Sequence, residues 1–174
     1  MKIFLTTHAT TTDHEKGIAS GWNDCRLSRR GIEQATELGN RFNGIVIDLI
    51  CCSDLTRATE TAGIAFEDKY PLIIDERLRE INYGDFNGKP ADIIQAMRKM
   101  RISEPFSNGE SYEKAVARVH GFFRELTKNH AEKVILTVGH SVVQIGLETL
   151  ASGKNLEDCL NTPFVWQPYW EYSL

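Results

Sequence analysis

Apolar residues occur along the chain in short bursts separated by polar, glycine-containing stretches, and the period of each burst predicts an element. Met1–Leu5 is an apolar run of strand length that stops at the polar cluster Thr6-Thr7-His8-Ala9-Thr10-Thr11-Thr12. Residues 13–27 read as a polar loop holding Gly17, Ser20 and Gly21, with no convincing periodicity. A loop of that length inside a compact domain is uncommon and often functional. Ser28 is a plausible N-cap for a helix over about 29–43, whose apolar face is Ile32, Ala35, Leu38 and Phe42.

Val46–Cys52 is apolar nearly throughout, as expected of a strand covered on both faces. Ser53 or Asp54 then caps a helix to about Phe66, with Leu55, Ala58, Ala62 and Ala65 on one side. Pro71–Asp75 is a third strand. Residues 76–108 are mixed, with turns at Tyr83–Gly88 and a short amphipathic helix over 91–101. Ser111 caps a helix to about Lys128 whose inward face is Ala115, Val116, Val119, Phe122, Phe123 and Leu126. Val134–Val138 is a fourth strand, ended by Gly139-His140-Ser141, and a helix follows to about Leu150. The aromatic tail, Phe164 to Leu174, reads as an edge strand interrupted by Pro168. Alternating strands and helices imply an α/β fold: a parallel or mixed sheet with helices on both faces. Length predicts a single domain over 1–174, with 81–109 as a small cap insertion at the sheet's edge.

Composition narrows the classes of partner. Twenty basic and 24 acidic residues are well mixed and leave a net charge of −4, which argues against a nucleic-acid or membrane-surface binder. No apolar run is long enough to span a bilayer, and the first residues lack the pattern of a signal peptide, so a cytoplasmic location is expected. Cys25, Cys51, Cys52 and Cys159 fit no zinc spacing and read as reduced thiols, a Cys25–Cys159 disulfide being the one pairing left open.

Four residues invite chemistry. His8 and His140 each end a predicted strand, and in open α/β sheets ligands bind beyond the carboxyl ends of strands. Each taken alone is as well explained by a hydrogen-bonded histidine at a strand end. Arg57 lies in the first turn of a helix, where a cation opposes the macrodipole and is easier to accept beside an anion. An ion pair with Asp54 or Glu60 is the plain alternative. Glu80, in a loop, says nothing by itself. Together they suggest a phosphate site: a histidine to attack phosphorus, an arginine and a second histidine to hold its oxygens, and a carboxyl group to protonate the leaving oxygen.

With these residues in place, the sequence resembles the histidine phosphatase superfamily, also called phosphoglycerate mutase-like. Ser20-Gly21-Trp22-Asn23-Asp24-Cys25-Arg26-Leu27-Ser28 follows His8 at the family's spacing, and the next helix carries Gly31 and Gln34-Ala35. The stretch Ser53–Ala62 is similar to the second arginine motif, Leu78-Arg79-Glu80 to the acid segment, Gly109-Glu110-Ser111 to the Gly-Glu-Ser before the last helix pair, and Val138–Ser141 to the second-histidine motif. The resemblance implies a three-layer α/β/α sandwich with no metal or organic cofactor. It implies that His8 is the nucleophile and forms a phosphohistidine, that Arg57 and His140 bind phosphoryl oxygens, and that Glu80 gives and takes the proton. Ser20 and Gly21 would line the substrate entrance, with Thr7, His14 and Ser141 beside the phosphate.

Three positions depart from the family pattern. Thr7 stands where the family has arginine, Ala9 where it has glycine, and His14 where it has asparagine. Thr7 offers one neutral hydrogen bond in place of a charged, often bidentate one. Lys16, Arg26 and His14 are the nearest candidates in sequence to compensate. The expected activity is hydrolysis of a small soluble phosphate ester, since only 28 residues separate Glu80 from Gly109 and a small cap leaves the site open to water. The competing readings are a phosphate-ligand-binding protein without turnover, motivated by Thr7, then a mutase-type phosphotransferase, and last a serine hydrolase using Ser141. The tail aromatics Trp166, Tyr169, Trp170 and Tyr172 would either pack on the sheet edge or join two copies as a homodimer.

Overall fold

A computed structural model describes residues 1–174. Four parallel strands and one antiparallel strand make the central sheet. In chain order these are β1 (Lys2–Thr7), β3 (Leu49–Cys52), β4 (Leu72–Ile74), β6 (Val134–Gly139) and β7 (Trp170–Ser173), and their spatial order is β4-β3-β6-β1-β7. Only β7 runs antiparallel, pairing Lys2–Leu5 of β1. Two short strands, β2 (Ile18–Ala19) and β5 (Lys89–Pro90), form a separate ribbon.

The period-2 alternation of the strands sorts the core into two layers. Ile3, Leu5, Leu49, Cys51 and Ile135 face α5 (Tyr112–His130) and α6 (Ser141–Ala151). Phe4, Ile50, Cys52, Leu136 and Val138 face α2 (Arg29–Arg41) and α3 (Thr56–Phe66). The architecture is therefore helices on both faces of a mostly parallel sheet. Residues 81–109 fold as β5, α4 (Ala91–Met97) and 3-10 turns at Gly84–Phe86 and Arg98–Arg101, and they bury Ile81, Tyr83, Ile94 and Phe106 in the first of these layers. No helix is long and apolar enough to cross a membrane.

Ser28 and Ser111 cap α2 and α5 as expected, accepting from the amides of Gly31 and Lys114. Other expectations need correction. Helix α2 ends at Arg41, and Ile32 is 49% exposed, so its buried face is Gly31, Ala35 and Leu38, continued by Phe42. Strand β3 begins at Leu49 because Asp48 turns its carboxylate onto the Val134 amide and Val46 faces solvent. Neither Ser53 nor Asp54 caps α3: Leu55 holds that position without a side-chain bond, while Asp54 pairs with Arg79. The helix expected over 91–101 is α4 followed by a 3-10 turn. The loop after His8 contains α1 (Thr12–Glu15) and β2, and α7 (Leu156–Asn161) follows α6. All of these extra elements are too short to carry a period. All four cysteines are free thiols. In the tail, Tyr172 is buried and Tyr169 packs edge-on to Phe4, whereas Trp166 is 57% exposed with Arg41 over its ring.

Candidate active site

Three neighbouring strands deliver the site. His8, Ser53 and His140 follow the carboxyl ends of β1, β3 and β6, and the His8 amide extends the ladder by donating to the Gly139 carbonyl at 3.0 Å. The His8 and His140 rings lie 5.0 Å apart between centroids. The loop beyond His8 is pinned from two helices: the Ala9 amide donates to Thr61 Oγ1 (3.0 Å) and the Thr10 amide to Gln34 Oε1 (2.9 Å). Gly31 is required here, because a Cβ would stand 2.0 Å from the Thr10 carbonyl oxygen.

The tautomer of His8 follows from its partners. Nδ1 lies 2.9 Å from the Ala9 carbonyl, which can only accept, so Nδ1 carries the proton and Nε2 keeps its lone pair. Arg57 Nε–H points at that lone pair from 3.3 Å. Burial, then the Arg57 guanidinium, then His14 hold the His8 imidazole well below its ordinary value. His140 is 1% exposed, and burial followed by Arg57 and His8 pushes it the same way. Its Nε2 sits 2.7 Å from Ser53 Oγ, and its Nδ1 is buried with no partner. With Ser53 donating to Nε2, the Nδ1–H is free to serve a ligand.

Arg57 is 2% exposed and forms no ion pair. Asp54 is committed to Arg79, and Glu60 to Arg26 and the Leu27 amide. Backbone carbonyls hold the guanidinium instead: Nη2 donates to Gly21 (2.7 Å) and Nη1 to Asn23 (3.3 Å). A buried cation held by dipoles alone, in a site where the His140 Nδ1 is also without a partner, is a place for an anion.

Glu80 faces the amino end of α6. Its Oε2 accepts from the Ser141 amide (3.2 Å) and hydroxyl (2.9 Å), and its Oε1 from the amides of Ile81 (2.9 Å) and Val142 (3.3 Å). The Glu80 carbonyl is bracketed by Trp22 Nε1 and Arg118 Nη2, and Arg118 is in turn paired with the buried Glu110. These supports place a carboxyl group rigidly, which proton transfer demands.

His8, Glu80, His140, Thr7, His14 and Ser141 all line one cavity of about 660 Å³. His14 stacks on His8, with centroids 5.1 Å apart. Ser20 and Gly21, expected at the entrance, do not line this cavity. Ser20 is buried with its hydroxyl on Asp13, and Gly21 adopts φ +55° beneath Arg57, where a Cβ would collide with Asn87. Lys16 and Arg26 are exposed and outside it, so neither supplies the charge Thr7 lacks. The cations on its wall are Arg30 and Arg41, of which Arg41 pairs with Glu37 and Arg30 forms no ion pair. Sequence reasoning missed Ser53, Thr61, Arg118 and Arg30 as contributors. Arg118 carried a signal: it falls on the apolar face of α5 between Ala115 and Phe122, where a charge needs a buried partner.

Residues 3–164 match the histidine phosphatase superfamily (branch 1), and the chain belongs to that family. It is 31% identical to the adenosylcobalamin/alpha-ribazole phosphatase of Escherichia coli, over 82% of this chain and 75% of the relative. It is equally similar, at 31%, to phosphoserine phosphatase 1 of Hydrogenobacter thermophilus, over 82% and 72% respectively. The solved structure of YhfR from Bacillus stearothermophilus superposes with a TM-score of 0.85 at 27% identity, covering 98% of this chain and 89% of that one.

Proposed function

We propose that the protein is a phosphomonoesterase that hydrolyses a small-molecule phosphate ester through a phosphohistidine on His8. The observation that carries this reading is the cluster at His8 Nε2: Arg57, which forms no ion pair, donates its Nε–H there at 3.3 Å, and the His140 ring, whose Nδ1 has no partner, lies 5.0 Å from the His8 ring. In the first step that lone pair forms the P–N bond while the ester P–O bond breaks. Arg57 and the His140 Nδ1–H balance the equatorial oxygens, and Glu80 delivers a proton to the leaving alcohol. In the second, water attacks the phosphohistidine, Glu80 takes its proton, and inorganic phosphate leaves. Low basicity at His8 keeps the nucleophile unprotonated in weak acid, where a typical histidine would be charged. The relatives named as phosphatases support the same class. The open cavity favours water over a retained phosphorylated sugar acid as the acceptor, hence a phosphatase over a mutase.

The test is turnover of an aryl phosphate across pH 5–8 by wild type and His8→Ala, with acid-stable and base-stable fractions of trapped phosphoprotein separated. Loss of at least about a thousandfold in His8→Ala, with a base-stable, acid-labile phosphate on His8 in the wild type, is the expected result. A second reading, ligand binding without turnover, rests on Thr7, which places a neutral side chain on the cavity wall beside the nucleophile. Phosphate binding with no turnover on a broad ester panel would establish it instead.

A further inference from the structure

The cavity at His8 does not end blindly. Ser141 and Phe164 form a seam between it and a second cavity of about 570 Å³. Glu80 stands at that seam, since its Oε2 is bonded to the Ser141 hydroxyl and amide. On the reading above, Glu80 protonates the leaving oxygen, so the scissile bond lies at the seam with the phosphoryl group on the His8 side. The alcohol then lies on the other side. We infer that the second cavity seats the leaving alcohol, and that its lining selects a bulky alcohol with an apolar ring system and a hydrogen-bond acceptor at its far end.

The lining carries the choice of class. Tyr83 and Tyr112 supply aromatic surface, and Ile94 and Ile145 supply aliphatic surface. Much of the polar inventory is already committed. Glu148 holds Lys154 and the Tyr172 hydroxyl, and Gln95 accepts from Arg98 Nη1. A small polyol would exchange water for few partners here and gain little. Gln144 and the Asp158 carboxylate are uncommitted, and so is part of Arg98: beyond its bond to Gln95, its guanidinium lies over the Tyr112 ring at 5.8 Å, it forms no ion pair, and its Nε is buried without a partner. A carboxylate or carbonyl on the far end of the ring would satisfy it. The inference rests on the phosphatase reading for the position of the scissile bond, and the experiment separates the two.

Affinities for non-hydrolysable phosphonates are measured by calorimetry on the wild type, comparing propylphosphonate with 2-(2-naphthyl)ethylphosphonate. Binding at least tenfold tighter for the naphthyl compound is expected. Gln144→Trp, which fills the second cavity from α6, should bring that ratio to about one. A 6-carboxyl group on the naphthyl ring should tighten binding a further severalfold, and Arg98→Met should remove that increment alone. Equal affinity for the first two probes in the wild type, or an unchanged ratio in Gln144→Trp, overturns the assignment. Turnover of the matching phosphate esters is scored separately. Ring-selective binding without turnover would sink the phosphatase reading and leave the cavity's ligand class standing, whereas turnover with a KM blind to the ring would sink the cavity assignment alone.

Discussion

The two ends of the cavity are built on different principles. The end at His8 gathers side chains from two strand tips and from α3, each fixed by its partners: the half-buried His8 by the Ala9 carbonyl and Arg57, the buried His140 by Ser53, and the buried Arg57 by two backbone carbonyls. The end formed by α2 and the tail is made of half-exposed or exposed side chains, Arg30, Phe164 and Trp166 among them, and only Arg41 there has a fixed carboxylate partner. Rigid donors aimed at one point suit developing charge, because no reorganisation is needed when the charge appears. The looser wall suits recognition, where side chains can adapt. On the reading proposed above, the rigid end carries the chemical step while the looser wall is free to adapt to what binds, a contrast that experiment can break.

The largest effect is expected at the rigid end. Arg57→Met should lower kcat/KM by two to three orders of magnitude, since it removes the charged donor bonded to His8 Nε2. It should also abolish the rise in melting temperature that inorganic phosphate gives the wild type. A variant that loses turnover but keeps the phosphate-induced shift would place the anion elsewhere. Thr7→Arg probes the same end from the opposite direction. A charged donor placed beside His8 in addition to Arg57 should raise kcat/KM by up to about a hundredfold. An unchanged rate would point to Arg30, the unpaired cation on the cavity wall, as already doing this work, and Arg30→Ala would then become the costly substitution.

Much of the rigid end was legible in the sequence, and much of the rest was not, for physical reasons. His8 and His140 stood at the ends of apolar runs, and such runs are the strongest local signal of a buried strand. Arg57 was visible as a cation in the wrong turn of a helix. Ser53 was misread, because a serine before a helix is equally a cap and a side chain free to bond elsewhere, and only its 2.7 Å contact with His140 decides between them. Ile32 satisfied the helical period yet faces solvent, because Gly31 takes the close contact with Thr10 and rotates the buried stripe by one residue. Ser20 and Gly21 were placed by motif at the entrance, whereas the chain uses them to hold Asp13 and Arg57. The wall at Arg30 and the second cavity were invisible because they join residues far apart in sequence through elements too short, or too exposed, to carry a pattern.

Ser53→Ala sharpens the comparison within the rigid end. It leaves every group that would touch phosphate in place and removes only the hydroxyl bonded to His140 Nε2. The ring can then turn or change tautomer, and a misplacement of this kind costs on the order of tenfold to a hundredfold in rate. The loss should fall on kcat rather than KM, and Ser53→Thr should restore part of it. A loss confined to stability, with kcat intact, would make Ser53 a packing residue.

The smallest effect concerns stability and needs no substrate. His8 and His140 are held well below the usual histidine value in the folded chain, chiefly by burial and by Arg57, while in the unfolded chain each takes up a proton near pH 6.5. The unfolded state therefore binds more protons over the interval between those values. The sign follows: their contribution is full above about pH 6.5 and declines as pH falls below it, by up to about 1.4 kcal/mol per pH unit for each histidine. Urea unfolding at pH 7.5, 6.5 and 5.5, a range in which ordinary carboxylates stay ionised, should show a flat upper segment and a falling lower one. His14 and His120 are lowered by burial as well, so replacing His140 with asparagine removes one of four contributors and should reduce the lower slope by about a quarter to a third. Saturating inorganic phosphate should flatten it further, because an anion between Arg57 and the two rings favours the protonated imidazoles that burial alone disfavours. A wild-type slope that is level down to pH 5.5 would mean that the rings are charged in the fold, and the rigid end would then lack the free lone pair on which its difference from the recognition wall depends.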